Sequence, residues 1–411
     1  MRWLRIVGPG LAIAATGVGA GDLMAALIAG AEHGTPLLWV IVVGAALKFA
    51  MNEGLARWQL ATGTPLLEGW FRYLGPVLRI YFTVYLVVWG FIVAGGLMSA
   101  CGVAAHALVP QVPIAAWAML HSLAAAALVS TGRYGLFEST MKGLIGLMVA
   151  TLLGSVLLIG VDPGATLRGL TVPTLPTGSA PSALALMGGV GGSVTLLSYG
   201  YWIREKRWSS IERLRDVRID LGVGYALTAL FGVAMLLLAT SVLGGGDGLP
   251  AGSRGLVACG DAIGAAGAER FGTDAGTALR AVFLIGAWAA IATSTLGVWQ
   301  GVPYLFADTA QAWRGEFDTP VDTHGRAYRL GLAYLAIPPM LLLALDRPVW
   351  VIRLYTVTGA LFMPLLAASL LWMNGRARWL GAVRNRRAAN GALALALLLF
   401  GMILVRQLLD T

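Results

Sequence analysis

Thr16-Gly17-Val18-Gly19-Ala20-Gly21-Asp22 sets three glycines at alternate positions and ends on a carboxylate, inside an apolar stretch that runs from Ile6 to Ala31. A continuous helix resists such a run, since each glycine costs about 1 kcal/mol against alanine. In a bilayer, unpaired backbone is tolerated only where it lines a cavity or is buried in protein. The stretch therefore reads as a membrane helix broken at mid-depth. A second run answers it: Gly188-Gly189-Val190-Gly191-Gly192-Ser193-Val194-Thr195. Glycine-interrupted spans at corresponding places in two halves of a chain point to a transport site at the interface of an inverted repeat. Glycine also serves simply to let neighbouring helices approach. The density of both clusters, each opening its half, favours the broken-helix reading.

Composition fits this setting. Hydrophobic residues make up 58% of the 411-residue chain and charged residues 12%, against about 25% charged in a soluble domain. Apolar stretches of the roughly 17–25 residues needed to cross about 30 Å of hydrocarbon recur along the chain. They lack two-residue alternation, so they are helices. Arg2 and Arg5 precede the first stretch, as in a signal peptide. Its length, Asp22 and the lack of a small-residue cleavage site mark it as a retained helix. Cys101 and Cys259 offer no disulfide framework, and His33, His106, His121 and His324 are scattered without metal-ligand spacing. The net charge of +9 reads as basic cytoplasmic loops rather than nucleic-acid binding. No cofactor motif is present.

Eleven spans are predicted: 6–31, 37–60, 80–108, 114–129, 143–160, 183–203, 219–243, 280–306, 329–345, 349–373 and 390–409. Punctuation such as Gly34-Thr35-Pro36, Asp162-Pro163 and Gly244-Gly245-Gly246 separates them. Residues 161–182 and 244–279 read as small-residue outer loops. With the N-terminus cytoplasmic and the C-terminus outside, most Lys and Arg fall inside, as in Arg204–Arg218 and Arg376–Arg387. The chain is then one all-α transmembrane domain: a first repeat of about 6–160 (spans 1–5), a second of about 183–373 (spans 6–10), and an added helix of about 390–409. Helices 1 and 6 are discontinuous.

Asp22 is the one acid of the first span. A carboxylate at mid-membrane costs about 2.5–3.5 kcal/mol and must face the bundle interior. It reads as a ligand for a cation or a titrating group, or else as a cap for amides freed by the break. Thr293, Ser294 and Thr295 on the eighth span, and Thr356 and Thr358 on the tenth, offer hydroxyls, although such residues commonly bond their own carbonyls. Glu53 stands one turn before Arg57, as an i,i+4 ion pair. Tyr199, Tyr201 and Trp202 read as an interfacial aromatic belt.

Gly8-Pro9-Gly10 and Ala29-Gly30-Ala31-Glu32-His33-Gly34 resemble the first helix of Nramp divalent-metal transporters. Ala56-Arg57-Trp58-Gln59-Leu60-Ala61-Thr62-Gly63 with Leu66 and Glu68 is similar to that family's second-helix end. Ala289–Thr295 with Gly301 resembles its eighth helix, and Pro364 falls at its tenth-helix proline. The resemblance covers about 20–375 and implies the LeuT-type inverted-repeat fold.

The departures sit at the chemistry. Where the family carries Asp-Pro-Gly-Asn, this chain has Gly19-Ala20-Gly21-Asp22. Where it carries a Met-Pro-His run, Thr195-Leu196-Leu197 stands, and its tenth-helix glutamine corresponds to Thr356. The third span contains no acid to relay protons. Loss of the thioether leaves oxygen donors, which suit Mg²⁺, Ca²⁺ or Mn²⁺. Mg²⁺ usually keeps several waters and uses one or two carboxylates.

The resemblance thus implies a transporter or uniporter of a hard divalent cation such as Mg²⁺ or Mn²⁺. Asp22 and Thr195 would be the metal ligands, with Gly19, Gly21, Gly192 and Thr356 completing the substrate site. A second reading is a carrier of a small organic cation or amino acid on the same fold. A third is a membrane sensor that binds without transporting. No pattern points to an enzyme. The implied partners are the transported ion or solute and the bilayer.

Overall fold

Proline and glycine set the helix boundaries. Pro9 and Pro76 open helices at positions where no amide is needed. Gly63, at φ +77°, ends one in the left-handed conformation while its amide bonds the Gln59 carbonyl at 2.8 Å. The structure, a computed structural model, describes residues 7–189, 192–244, 253–345, 359 and 362–409. In chain order the helices are α1 (Pro9–Gly17), α2 (Ala20–His33), α3 (Leu38–Thr62), α4 (Leu66–Tyr73), α5 (Pro76–Leu108) and α6 (Ile114–Ser130). Then come α7 (Tyr134–Ile159), α8 (Pro163–Thr171), α9 (Ala180–Gly189), α10 (Ser198–Glu205), α11 (Leu214–Leu243) and α12 (Ser253–Phe271). The remainder are α13 (Thr273–Trp313), α14 (Arg326–Ala336), α15 (Phe362–Asn374), α16 (Ala377–Leu380) and α17 (Arg387–Leu409). All regular structure among the described residues is helical.

Among the described residues seven helical stretches are long and apolar enough to cross a bilayer, one of them α14 continued by the 3₁₀ turns of Pro338–Leu345, and eight counting the bent pair α1–α2; α6 and α15 are apolar but shorter. Apolar side chains such as Leu157 and Val77, 81% and 79% exposed, face outward, as a lipid-facing surface requires. The chain is a multi-pass membrane protein.

Two expected loops carry helices. Within 161–182, Asp162 caps α8 by accepting from the Gly164 and Ala165 amides at 2.8 and 3.1 Å. Within 244–279, α12 packs along α13. Its alanines and glycines, interrupted by Asp261, Glu269 and Arg270, lack the apolar run that marks a span. The first part of the predicted tenth span, including Thr356 and Thr358, lies outside the described residues.

The broken first span runs through the core. α1 crosses α11 where glycine meets glycine: a Cβ on Gly224 would overlap the Gly10 carbonyl. α1 also lies against α13, where a Cβ on Gly297 would overlap the Thr16 hydroxyl. These approaches bring three backbones close enough for side chains to reach the freed peptide groups at the break.

Candidate functional site at the two helix breaks

The break in the first span follows from its glycines. α1 stops at Gly17, Val18 turns away from helical geometry, and Gly19 is extended at φ −104°, ψ −172°. α2 then leaves at 58° to α1. The sixth span breaks likewise: α9 ends at Gly189, and the chain resumes as a 3₁₀ turn, Val194–Leu197, leading into α10. Gly192 has φ +85°. The breaks touch, since a Cβ on Gly192 would lie 3.4 Å from the Gly17 Cα and 2.7 Å from Thr195 Oγ1.

Asp22 sits in the first turn of α2, half-buried, and its Oδ2 accepts from the Gly19 amide at 3.3 Å. The capping reading of Asp22 is thus realised, and its negative charge also lies at the positive end of the α2 dipole. Gly21 lies in the same turn. The Gly19 carbonyl is engaged as the first acceptor of the α2 ladder, from Leu23 N at 3.1 Å. Thr195 is buried, and its Oγ1 is without a hydrogen-bond partner among the described residues. A buried hydroxyl lacking a partner is costly, which makes Thr195 the member of the site most in need of a ligand.

Sequence reasoning missed Lys48. It lies midway along α3, is 0% exposed, and its Nζ donates to the Gly192 carbonyl at 2.6 Å. The charges of Lys48 and Asp22 act on one another, and the Phe400 ring centroid lies 5.9 Å from Nζ. The Gly192 carbonyl, expected to serve a metal, thus already serves an ammonium; its second lone pair remains. The signal was available, because an ionisable residue deep in a span marks a functional place by default.

The hydroxyls of α13 close the break from behind. Ser294 donates to the Thr16 carbonyl at 2.7 Å, and Thr293 to the carbonyls of Ala290 at 2.8 Å and Ala15 at 3.3 Å. Thr295 bonds back to Ile291 at 3.0 Å. Glu53 and Arg57 form the expected pair at 3.1 Å, with Arg218 joining at 2.8 Å. Tyr199, Tyr201 and Trp202 are fully buried rather than forming an outward-facing belt. They donate to Asp220, Asp308 and Gln300, acceptors supplied by α11 and α13. Among the described residues no three His, Cys, Asp or Glu side chains gather as a metal cage. The donor set is one carboxylate, one unpartnered hydroxyl and backbone carbonyls, beside an ammonium.

The divalent metal cation transporter MntH of Chromohalobacter salexigens is 27% identical over 255 residues, 58% of this chain and 57% of that one. The chain spans only 35–57% of the length of the curated relatives it matches. A histidine-to-alanine mutant of the Eremococcus coleocola manganese transporter shares the fold at a TM-score of 0.78 and 15% identity, over 98% of this chain and 86% of that one. A nucleobase-cation-symport-1 family transporter, Mhp1, shares it more loosely, at 0.55 and 12% identity over 96% and 91%. Residues 10–410 match one family along nearly the whole chain, and this protein belongs to it: the Nramp, or natural resistance-associated macrophage protein-like, family.

Proposed function

We propose that this protein carries a divalent metal cation across the membrane by alternating access, with the ion bound where the two helix breaks meet. Thr195 carries the reading: a buried hydroxyl without a partner among the described residues, beside Gly192, which itself meets the break that Asp22 caps. Membership of the Nramp family supports it. Asp22 is the charged ligand and Thr195 a neutral one, with the Gly19 and Gly192 carbonyls and Gly21 lining the shell; Thr356, outside the described residues, is the further ligand expected from the sequence. So few charged ligands suit a hard ion that keeps part of its water, Mg²⁺ or Mn²⁺. The carrier has eleven spans in a LeuT-type inverted repeat, about 6–160 and 183–373, with an added helix at 390–409 and the N-terminus cytoplasmic. The two halves rock about the site.

Lys48 favours a second reading. It leaves the site with one negative and one positive group, which suits a small organic solute bearing both charges. The likeness to Mhp1 shows that this fold is not confined to metal carriers.

Uptake of Mg²⁺ and Mn²⁺ into proteoliposomes, with wild type, Asp22→Ala and empty vesicles, tests the first reading. Saturable flux that the substitution removes is expected. Flux no greater than in empty vesicles, from folded protein, would transfer the case to organic solutes.

A further inference from the structure

Lys48 lies at the breaks as no simple structural lysine needs to. It comes from α3, a helix with no break of its own, and reaches the Gly192 carbonyl across the junction of the discontinuous spans. The 2.6 Å separation is that of a short, charge-assisted hydrogen bond. An ammonium at that distance from a carbonyl, in the field of Asp22 and against the Phe400 ring, has the surroundings of a bound cation. A lysine ammonium is a compact point charge on a flexible four-carbon stem, so it can leave without moving the backbone of either break.

We propose that Lys48 is a tethered competitor for the cargo cation, occupying the place between the breaks until an incoming ion displaces its ammonium from the Gly192 carbonyl and takes its place in the field of Asp22. The proposal rests on the breaks being the cargo site. With Lys48 in place, its ammonium offsets part of the Asp22 charge, and a second cation meets like charge at the Gly192 carbonyl. With Lys48 swung away, the Gly192 carbonyl is released beside the Thr195 hydroxyl, and the field of Asp22 is left to the incoming ion. The lysine therefore holds the empty site electrically balanced between the two breaks and weakens binding of any cation that fails to offset its displacement. A purely structural lysine, pinning a carbonyl freed by the break, predicts the opposite: its removal loosens the fold and improves nothing.

The test is Mn²⁺ binding by titration calorimetry to the full chain purified in detergent, comparing wild type with Lys48→Met, Lys48→Gln and Lys48→Arg, with melting temperatures recorded alongside. Both neutral variants are expected to bind Mn²⁺ at least about tenfold tighter than wild type, and Lys48→Arg no tighter. Neutral variants that stay folded but bind as wild type does, or more weakly, would overturn the competitor while leaving metal carriage standing. Binding by the neutral variants and none by wild type would support the competitor and remove metal as the native cargo. No binding by any folded form would overturn both. Should the neutral variants fail to fold, amine-reactive labelling of wild type decides, read by mass spectrometry. Labelling at Lys48 that rises when Mn²⁺ saturates the protein supports displacement, and labelling that does not rise overturns it.

Discussion

The Ser294 hydroxyl donates a 2.7 Å hydrogen bond to the Thr16 carbonyl, tying α13 to the last turn of α1 just before its break. That carbonyl is among those a helix end leaves without an intrahelical partner, and Ser294 comes from another span, 278 residues along the chain.

Ser294→Ala should therefore strand a buried acceptor. The cost expected is about 1–3 kcal/mol, read as a lowered melting temperature in detergent. Gly297→Ala should cost more, because its new Cβ would overlap the Thr16 hydroxyl and force α13 from α1. Equal, negligible shifts for both would refute the clamp.

Gly192 and Gly63 separate strain from contact. Both have positive φ, +85° and +77°, a region that costs an L-residue about 1–2 kcal/mol. A Cβ on Gly63 meets nothing within 4 Å, whereas one on Gly192 meets Thr195 Oγ1 at 2.7 Å. Gly63→Ala should show the strain alone and Gly192→Ala a larger loss. Adding Thr195→Ala to Gly192→Ala should bring its loss back toward that of Gly63→Ala. A double variant no more stable than Gly192→Ala would show that the contact carries no weight.

Both breaks were legible because glycine density is a local signal: Gly17, Gly19 and Gly21 need no partner to announce a fault in a helix. The capping alternative for Asp22 was legible for the same reason, being settled three residues away at Gly19. What the pattern could not supply was pairing across the bundle. Tyr199, Tyr201 and Trp202 look like a belt in one dimension; they are buried only because Asp220, Asp308 and Gln300 arrive from 21 to 107 residues away. Lys48 is an intermediate case. Its presence in a span was visible, but only packing brings α3 beside Gly192. Helix α12 escaped detection because its small residues and the interrupting Asp261, Glu269 and Arg270 leave no apolar run, while its alanines are enough to favour helix.

Asp220 anchors the start of the first span. Its Oδ1 accepts from Gly8 N at 2.9 Å, and its Oδ2 from Gly10 N at 2.6 Å and Tyr199 Oη at 2.9 Å. Asparagine keeps one acceptor oxygen and turns an NH₂ toward the remaining donors. Asp220→Asn should cost about 2–3 kcal/mol, the scale of a buried charge-assisted bond lost, and Tyr199→Phe about 1 kcal/mol. A melting temperature unchanged in Asp220→Asn would mean that α1 is held by glycine packing alone.

Thr195 allows binding to be separated from folding. Its Oγ1 is buried without a partner among the described residues, so there the hydroxyl contributes desolvation cost and no bond. Valine has nearly the same shape without the oxygen, and replacing an unsatisfied polar group with an apolar one of equal shape is neutral or stabilising. Thr195→Val should therefore melt no lower than wild type, while Thr195→Ser keeps the oxygen and leaves a small void of about one methyl, worth roughly 1 kcal/mol. If the hydroxyl is a ligand, Mn²⁺ binding should follow the reverse order, retained in Thr195→Ser and weakened about tenfold or more in Thr195→Val. A structural hydroxyl cannot produce that crossing of the two orders. Should Thr195→Val bind Mn²⁺ as wild type does, Thr195 is no ligand, and the shell about Asp22 must be completed by backbone carbonyls and water.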